Sequence, residues 1–262
     1  MTVDIAGAVD TRRLAHADIT ALATLIDALS DIISVHGSLY DWAANQPQPR
    51  ALRGRAPVFV AALPDSAETV VIRHAWHGGL LAPITGDRFR RPSRAPVELA
   101  MSARLRAAGI PTTAVLGYAR YDAGFGMCRV DVVTRFIADA YDLGMVAAGL
   151  VPEMSCRDAL AATQGLLVRL AAAGVIHPDL NVKNVLLTRA ADGALTALMI
   201  DVDVVRWDTA RAPADTMTAN VARLTRSMRK WRTHFGCEVT EAMLERFTRE
   251  AMASLSVHAG AA

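Results

Sequence analysis

The spacing of apolar residues changes near residue 140, and the change predicts two regions of different architecture. The first forty residues read as helical, with Asp18 as a candidate cap before an Ala- and Leu-rich stretch at 22–29. Residues 37–55 are rich in Pro, Gly, Asn and Gln, which predicts a loop. Short apolar runs of β type then alternate with one helical stretch. The predicted elements are strands at 57–63, 69–73, 114–121 and 128–137 and a helix at 97–108.

After residue 155 the apolar positions follow a helical period, with Leu160, Leu166 and Leu170 near one face and Gly174 at its end. A small hairpin is predicted from the runs at 185–187 and 195–200, and the last sixty residues read as helical again. The order of elements therefore predicts an α+β fold with a β-rich N-lobe carrying one key helix and a mostly helical C-lobe. The predicted boundaries are a helical N-terminal extension at 1–50, an N-lobe at 51–137 and a C-lobe at 138–262.

Composition narrows the class of protein. Hydrophobic residues make up 52% of the 262 residues and charged residues 21%, which argues against disorder. No apolar stretch approaches the roughly 18 residues that a membrane-spanning helix needs. The first fourteen residues lack the apolar core of a secretory signal, so we expect a cytoplasmic protein. The net charge of +2 argues against nucleic-acid binding through bulk charge, and no recognition motif accompanies the basic clusters.

The segment at 177–187, HPDLNVKNVLL, carries the chemistry, together with IDVD at 200–203. Asp179 lies in a predicted loop, Asn184 follows five residues later, and Asp201 ends the second strand of the predicted hairpin. Such a hairpin can place these three side chains around one point. Phosphoryl transfer needs this set, because one carboxylate accepts the acceptor hydroxyl's proton while an amide oxygen and a second carboxylate hold Mg²⁺. The alternative is an Asp- and Asn-rich turn that joins two core strands.

The spacing resembles the protein-kinase-like H-x-D-x-x-x-x-N catalytic loop and its later metal-binding Asp. The sequence of the loop and of the IDVD strand end looks most like the lipopolysaccharide kinase family, and within it the 3-deoxy-D-manno-octulosonic acid (Kdo) kinases. Three more regions agree, and together they extend the resemblance over residues 54–232. These are VIRHAWHGGL at 71–80, SRAPVE at 93–98 with LRAAGIP at 105–111, and NVARLTRSMRK at 220–230.

The resemblance implies a protein-kinase-like fold that uses ATP and Mg²⁺ to phosphorylate a sugar hydroxyl of a Kdo-containing lipid A precursor. It also implies peripheral contact with the cytoplasmic face of the inner membrane. The implied site has a catalytic loop, a metal pair and a nucleotide-binding group. In the catalytic loop, Asp179 is the base and His177 is the orienting residue. The implied metal ligands are Asn184 and Asp201, and the implied nucleotide contacts come from Arg73, Glu98, Gly54 and Lys183.

The chain departs from the family's pattern at several positions. Arg73, the implied partner of Glu98, replaces the usual strand lysine, and Gly54 is one glycine where protein kinases have three. Val202 stands where the family has Phe. Pro178 replaces the arginine that protein kinases use in activation-loop control, which indicates a constitutive small-molecule or lipid kinase.

A basic stripe of Arg223, Arg226 and Lys230 follows the apolar stripe of the last predicted long helix. Two interpretations remain open: a solvated helix face, or a surface that binds the carboxylate or phosphates of an acidic acceptor. Arg94, in the basic loop at 88–94, is a further candidate for the acceptor or for the anionic membrane surface.

Two alternative functions are compatible with the same motifs. One is another small-molecule kinase of this fold, such as an aminoglycoside or fructosamine kinase. The other is a pseudokinase that binds a partner without catalysis, which the substitution at Arg73 and the sparse glycine loop would allow. Mg²⁺-dependent nucleotide binding distinguishes a catalytic site from a scaffold.

Overall fold

The computed structural model describes residues 8–52, 57–76, 86–90, 92–190, 192–236 and 239–259, with side chains up to residue 255. The chain divides into two compact units. The first contains Met1–Ala103 and Ala114–Phe136, and the second contains Arg104–Thr113 and Ile137–Ala262.

An antiparallel sheet forms the centre of the first unit. Its strands follow the spatial order β1-β2-β7-β8-β5-β4-β3, and β6 pairs with β8. The strands are β1 (Val9–Arg13), β2 (Ala17–Leu22), β3 (Arg50–Leu52), β4 (Val58–Ala62), β5 (Thr69–His74), β6 (Phe89–Arg90), β7 (Val115–Asp122) and β8 (Met127–Arg135). The helices are α1 (Ile26–His36), α2 (Leu39–Ala44) and α3 (Ala95–Ala107). α1 buries Leu29 and Ile33 in the core beneath β2.

The helical prediction for the first forty residues is confirmed for 26–36 and wrong for 9–22. Ala17, Ile19 and Ala21 alternate into the core, and this period of two belongs to a strand that pairs with β7. Asp18 is therefore no helix cap, since it lies within β2 and accepts a hydrogen bond from Arg13 at 3.0 Å. The predicted loop at 37–55 is also wrong in part, because α2 and β3 lie within it. Ser38 begins α2 by accepting the Asp41 N–H at 3.0 Å.

The second unit is mostly helical, as the apolar period predicts. Its elements are β9 (Tyr141–Asp142), α4 (Leu143–Ala147), α5 (Cys156–Ala172), β10 (Val175–Ile176), β11 (Val185–Arg189), β12 (Leu195–Met199), a 3₁₀ turn (Val202–Val204), β13 (Arg206–Trp207), α6 (Pro213–Phe235) and α7 (Glu241–Ala259). α5 lies at the centre, where it buries Leu166, Leu167 and Leu170 and contacts α6, α7 and β12. The predicted hairpin is present as β11 and β12, and β9 adds a third strand to it.

Gly174 ends α5 as the sequence predicts, and it does so in the left-handed region at φ +68°. A Cβ at this position would also lie 2.1 Å from the carbonyl oxygen of Asp208. The chain turns here directly into β10 and the polar loop that follows it. In the described part of the chain, no helix is both long and apolar enough to cross a membrane.

Candidate active site

The loop between β10 and β11 contains the predicted catalytic residues. Apolar side chains anchor it, because Leu180 and Val182 are almost completely buried. Two consecutive turns form the loop, at 177–180 and 181–184. Each is closed by a hydrogen bond of 3.0 Å, from Leu180 N–H to the His177 oxygen and from Asn184 N–H to the Asn181 oxygen. The loop therefore has a fixed backbone while the side chain of Asp179 remains exposed.

His177 is completely buried and holds the loop from within. Its Nδ1 accepts the Asp179 N–H at 3.2 Å, and its Nε2 lies 3.1 Å from the carbonyl oxygen of Ile200. An accepting Nδ1 and a donating Nε2 define the neutral imidazole. Burial lowers the pKa of His177, against the opposing effects of the Ile200 carbonyl and three nearby carboxylates, Asp179, Asp201 and Asp203. These two hydrogen bonds make His177 a support of the loop backbone, and its orienting role in catalysis stays a prediction.

Asn184 and Asp201 supply oxygen atoms of the kind that Mg²⁺ prefers. Nδ2 of Asn184 donates to the Asp179 carbonyl oxygen at 2.9 Å, which leaves Oδ1 as the amide atom suited to a cation. Asp201 follows β12 and adopts the left-handed region at φ 58°, where it begins the 3₁₀ turn. Among the described residues, no group of three or more His, Cys, Asp or Glu could hold a metal. An amide oxygen and a carboxylate are ligands that Mg²⁺ accepts together with water and substrate phosphates, and the role of this pair as metal ligands stays a prediction.

A cavity of about 470 Å³ opens beside the loop and is lined by residues 178–183 and by one face of α6. Of the predicted residues, Asp179, Lys183, Arg223, Arg226 and Lys230 all line it. Lys183, implied for the nucleotide, is exposed and has its Nζ 5.3 Å from the centre of the Trp231 ring. Its nucleotide role stays a prediction.

The cations of α6 fall into three groups. Arg223 donates from Nη1 to the carbonyl oxygen of Pro178, so it supports the loop. Arg229 and Arg232 lie outside the cavity lining and are paired with Glu241 of α7 at 2.5 and 3.3 Å.

Arg226 and Lys230 line the cavity, and their side chains have no ion-pair or hydrogen-bond partner in the part of the chain that the structure describes. Positive charge without a protein partner beside Asp179 suits an anionic ligand.

Two supporting residues were not singled out from the sequence. Asn220 accepts the His177 N–H at 3.1 Å and donates to the Val175 oxygen at 2.9 Å. Ser227 accepts the Val182 N–H at 3.1 Å. Both lie within the 220–230 motif, whose polar uncharged residues were the signal in the sequence for these contacts.

The first unit contains the other predicted group. Arg73 on β5 and Glu98 in the first turn of α3 form an ion pair in which Nη2 lies 2.7 and 2.8 Å from the two carboxylate oxygens. Glu98 is buried. Arg94 is exposed just before α3, where its carbonyl oxygen accepts the Glu98 N–H at 3.0 Å. Gly54 lies outside the described residues.

Comparison with known proteins identifies relatives of this chain. A 3-deoxy-D-manno-octulosonic acid kinase from Haemophilus influenzae (strain PittEE) is 26% identical over 160 residues, which cover 58% of this chain and 64% of that relative. The match thus spans less than two thirds of the relative's length. A solved structure of WaaP in complex with acyl carrier protein superposes with a TM-score of 0.44 at 17% identity, covering 86% of this chain and 96% of the other.

The model of the lipopolysaccharide kinase (Kdo/WaaP) family matches residues 52–250, well over half of the chain. The match confirms the resemblance that the loop motif indicated, and with it the α+β, protein-kinase-like fold class. The chain is a member of the lipopolysaccharide kinase (Kdo/WaaP) family.

Proposed function

We propose that this protein is an ATP-dependent kinase that phosphorylates a hydroxyl group of an anionic sugar of the Kdo type. One observation carries the proposal: Asp179 and two cations without described partners, Arg226 and Lys230, line the same cavity. The carboxylate is suited to a hydroxyl group, and the cations are suited to an acid group on the same acceptor. The Haemophilus relative is named for this sugar acid.

In the proposed reaction, Asp179 accepts the proton of the acceptor hydroxyl as its oxygen attacks the γ-phosphorus of ATP. The bond from the γ-phosphorus to the bridging oxygen breaks, and ADP leaves with that electron pair. His177 and Asn184 keep the loop in position, because both bind the backbone of Asp179. Asn184 and Asp201 would hold Mg²⁺, whose chemistry is to neutralise phosphate charge.

On the nucleotide side, we assign Arg73 to the phosphates and Glu98 to its orientation, by analogy with the strand and helix pair of kinases. Gly54 and Lys183 are assigned to the nucleotide on the resemblance alone. A lipid-linked Kdo acceptor would bring the protein to the cytoplasmic face of the inner membrane, where Arg94 is a candidate for anionic headgroups. Two alternatives are to be tested: a kinase of this fold that acts on another sugar, and a pseudokinase that binds a partner without catalysis.

The test is a phosphate-transfer assay with ATP, Mg²⁺ and a Kdo-bearing lipid A precursor, comparing wild type with Asp179→Asn. We expect the variant to lose about 10²–10⁴-fold in kcat while its affinity for ATP changes little, since the lost group contacts the acceptor. Asp192→Asn is the matched control, because Asp192 accepts a backbone N–H in the exposed hairpin turn.

Near-wild-type turnover by Asp179→Asn would contradict the assigned base. If wild type binds ATP with Mg²⁺ but phosphorylates no Kdo acceptor, the acceptor class is wrong and the kinase assignment stands. If wild type binds no nucleotide in a calorimetric titration with Mg²⁺, the protein is a pseudokinase.

A further inference from the structure

Two aromatic side chains occupy the end of the cavity farthest along α6. Trp231 and Phe235 are one turn apart, and their ring centres lie 4.1 Å from each other at an interplanar angle of 31°. Trp231 is half-buried, whereas 59% of Phe235 is exposed. The outer ring is therefore available to a ligand, and the inner ring supports it.

Trp231 is held against the chain by a close approach at Gly144. A Cβ at Gly144 would lie 2.8 Å from Cε2 of the indole, so only glycine allows the ring to take this place. Lys183 adds its ammonium group 5.3 Å from the indole centre. The indole Nε1 is buried with no hydrogen-bond partner among the described residues, so packing and not hydrogen bonding places the ring.

The exposed ring lines the same cavity as the cations of the proposed acceptor site. Lys230 directly precedes Trp231, and Arg226 lies one turn earlier on α6. A sugar ring presents an apolar face of C–H groups, which packs against an aromatic ring, while an acid substituent on the same ring needs a cation. The cavity thus offers both contacts within about two and a half turns of one helix.

We propose that Phe235, backed by Trp231, is the stacking surface for the acceptor's sugar ring and determines the preference for a cyclic sugar acid. The inference rests on the proposed function, since it deepens the assignment of the same cavity. Arg226 and Lys230 bind the acid group, and the aromatic pair recognises the ring. Charge complementarity favours an anionic sugar as the occupant, because Arg226 and Lys230, which have no ion-pair partner among the described residues, line the cavity together with the exposed ring.

The test measures binding, so that it does not depend on turnover. The full chain, loaded with ADP and Mg²⁺, is titrated with free Kdo and with D-gluconate, an acyclic sugar acid, by calorimetry and saturation-transfer difference NMR. We expect Phe235→Ala to weaken Kdo binding about tenfold and gluconate binding little, as expected for the loss of one aromatic contact. Phe235→Tyr should restore the preference, and Phe125→Ala, at a fully exposed Phe of the other unit, should change nothing.

Unchanged Kdo affinity in Phe235→Ala, in a protein whose wild type phosphorylates Kdo, would overturn the inference and leave the proposed function intact. Equal losses for Kdo and gluconate would also overturn it, because they would indicate a general disturbance of the site. Wild type that binds ATP but not Kdo would overturn the inference and the proposed acceptor class, while the kinase assignment would stand. If Phe235→Ala instead loses affinity only for anionic phospholipid vesicles, the ring is a membrane contact and the inference is wrong.

Discussion

At the scale of residues, buried ionisable groups depend on specific partners. Asp131 is completely buried and accepts hydrogen bonds from His74 Nδ1 at 2.6 Å, the Tyr121 hydroxyl at 2.8 Å and the Tyr40 N–H at 3.0 Å. Burial lowers the pKa of His74, but the hydrogen bonds and charges of Asp131 and Asp87 outweigh it, so the net pKa is raised above 6.5. Burial, with the charge of Asp131, also raises the pKa of Tyr121 well above 10.

The raised pKa of His74 predicts a pH-dependent stability. The protonated pair contributes in full below pH 6.5, the unfolded value, and its contribution is lost as pH rises through the folded pKa. His177 has a lowered pKa, so its effect has the opposite pH dependence. Its contribution to the free energy of unfolding is lost as pH falls below 6.5. The free energy of unfolding should therefore decline above pH 6.5 through His74.

Urea unfolding between pH 6.5 and 9 isolates His74. Asp131→Asn should flatten this decline and reduce the free energy of unfolding by about 3 kcal/mol, because one partner of a buried pair is lost. His36→Gln, at an exposed position, should behave as wild type. A decline of wild-type slope in Asp131→Asn would refute the assignment.

The ion pair of Arg73 with Glu98 predicts that a lysine at position 73 is tolerated. Nη2 of Arg73 contacts both carboxylate oxygens of Glu98, and a lysine ammonium can make this contact. We expect Arg73→Lys to retain most of the affinity for Mg·ATP, and Arg73→Ala to lose about tenfold. Equilibrium dialysis with ATP measures both. Equal losses in the two variants would show that the second guanidinium nitrogen or its planarity is needed.

At the scale of elements, α6 presents two basic surfaces with different partners. Arg229 and Arg232 share an ion pair with Glu241, while Arg226 and Lys230 line the cavity without described partners. The spacing of charges along the helix gives no sign of this division, because it depends on where α7 places its carboxylate. The structure therefore gives the two surfaces different surroundings, and the acceptor role of Arg226 and Lys230 stays a prediction.

This division predicts different effects of charge changes on the two surfaces. Arg226→Glu should raise the KM for the acceptor tenfold or more and leave the KM for ATP nearly unchanged, since it places a negative charge in an anion site. Arg229→Ala is the control on the paired surface and should change neither. Steady-state kinetics with each substrate varied in turn gives both constants. Equal increases for the two substrates would contradict an acceptor surface on α6.

At the scale of the whole molecule, ligand binding should stabilise the fold by mass action. Mg·ATP at one hundred times its Kd contributes about 2.7 kcal/mol, which corresponds to a Tm rise of about 5 to 10 °C for a chain of this size. Asp201→Asn should lose the part of this rise that requires Mg²⁺ while its Tm without ligand stays close to wild type, because Asp201 is exposed. Differential scanning fluorimetry with and without EDTA measures this rise in wild type and in Asp201→Asn. A rise that EDTA does not change in wild type would contradict the metal pair.

Local patterns identified most elements of the molecule. The helix at 95–107, the hairpin of β11 and β12 and the end of α5 at Gly174 all depend on signals within a few residues, and all are present. The helical prediction for residues 17–22 is wrong because Ala and Leu are common in helices, although Ala17, Ile19 and Ala21 alternate with polar residues as in the strand that pairs with β7. Gly117 marks this pairing, since a Cβ there would lie 2.5 Å from the Cβ of Ala21.

The sequence by itself predicted the catalytic loop and indicated the family, because Asp179 and Asn184 lie on one short segment whose spacing is set by local turns. Tertiary structure alone decided what surrounds that loop. It buried His177 against Ile200, placed Asn220 and Ser227 behind the backbone, and sorted the cations of α6 into paired and available ones. These outcomes depend on contacts between residues far apart in the chain, whose free energies come from burial and charge pairing and leave no periodic trace in the sequence.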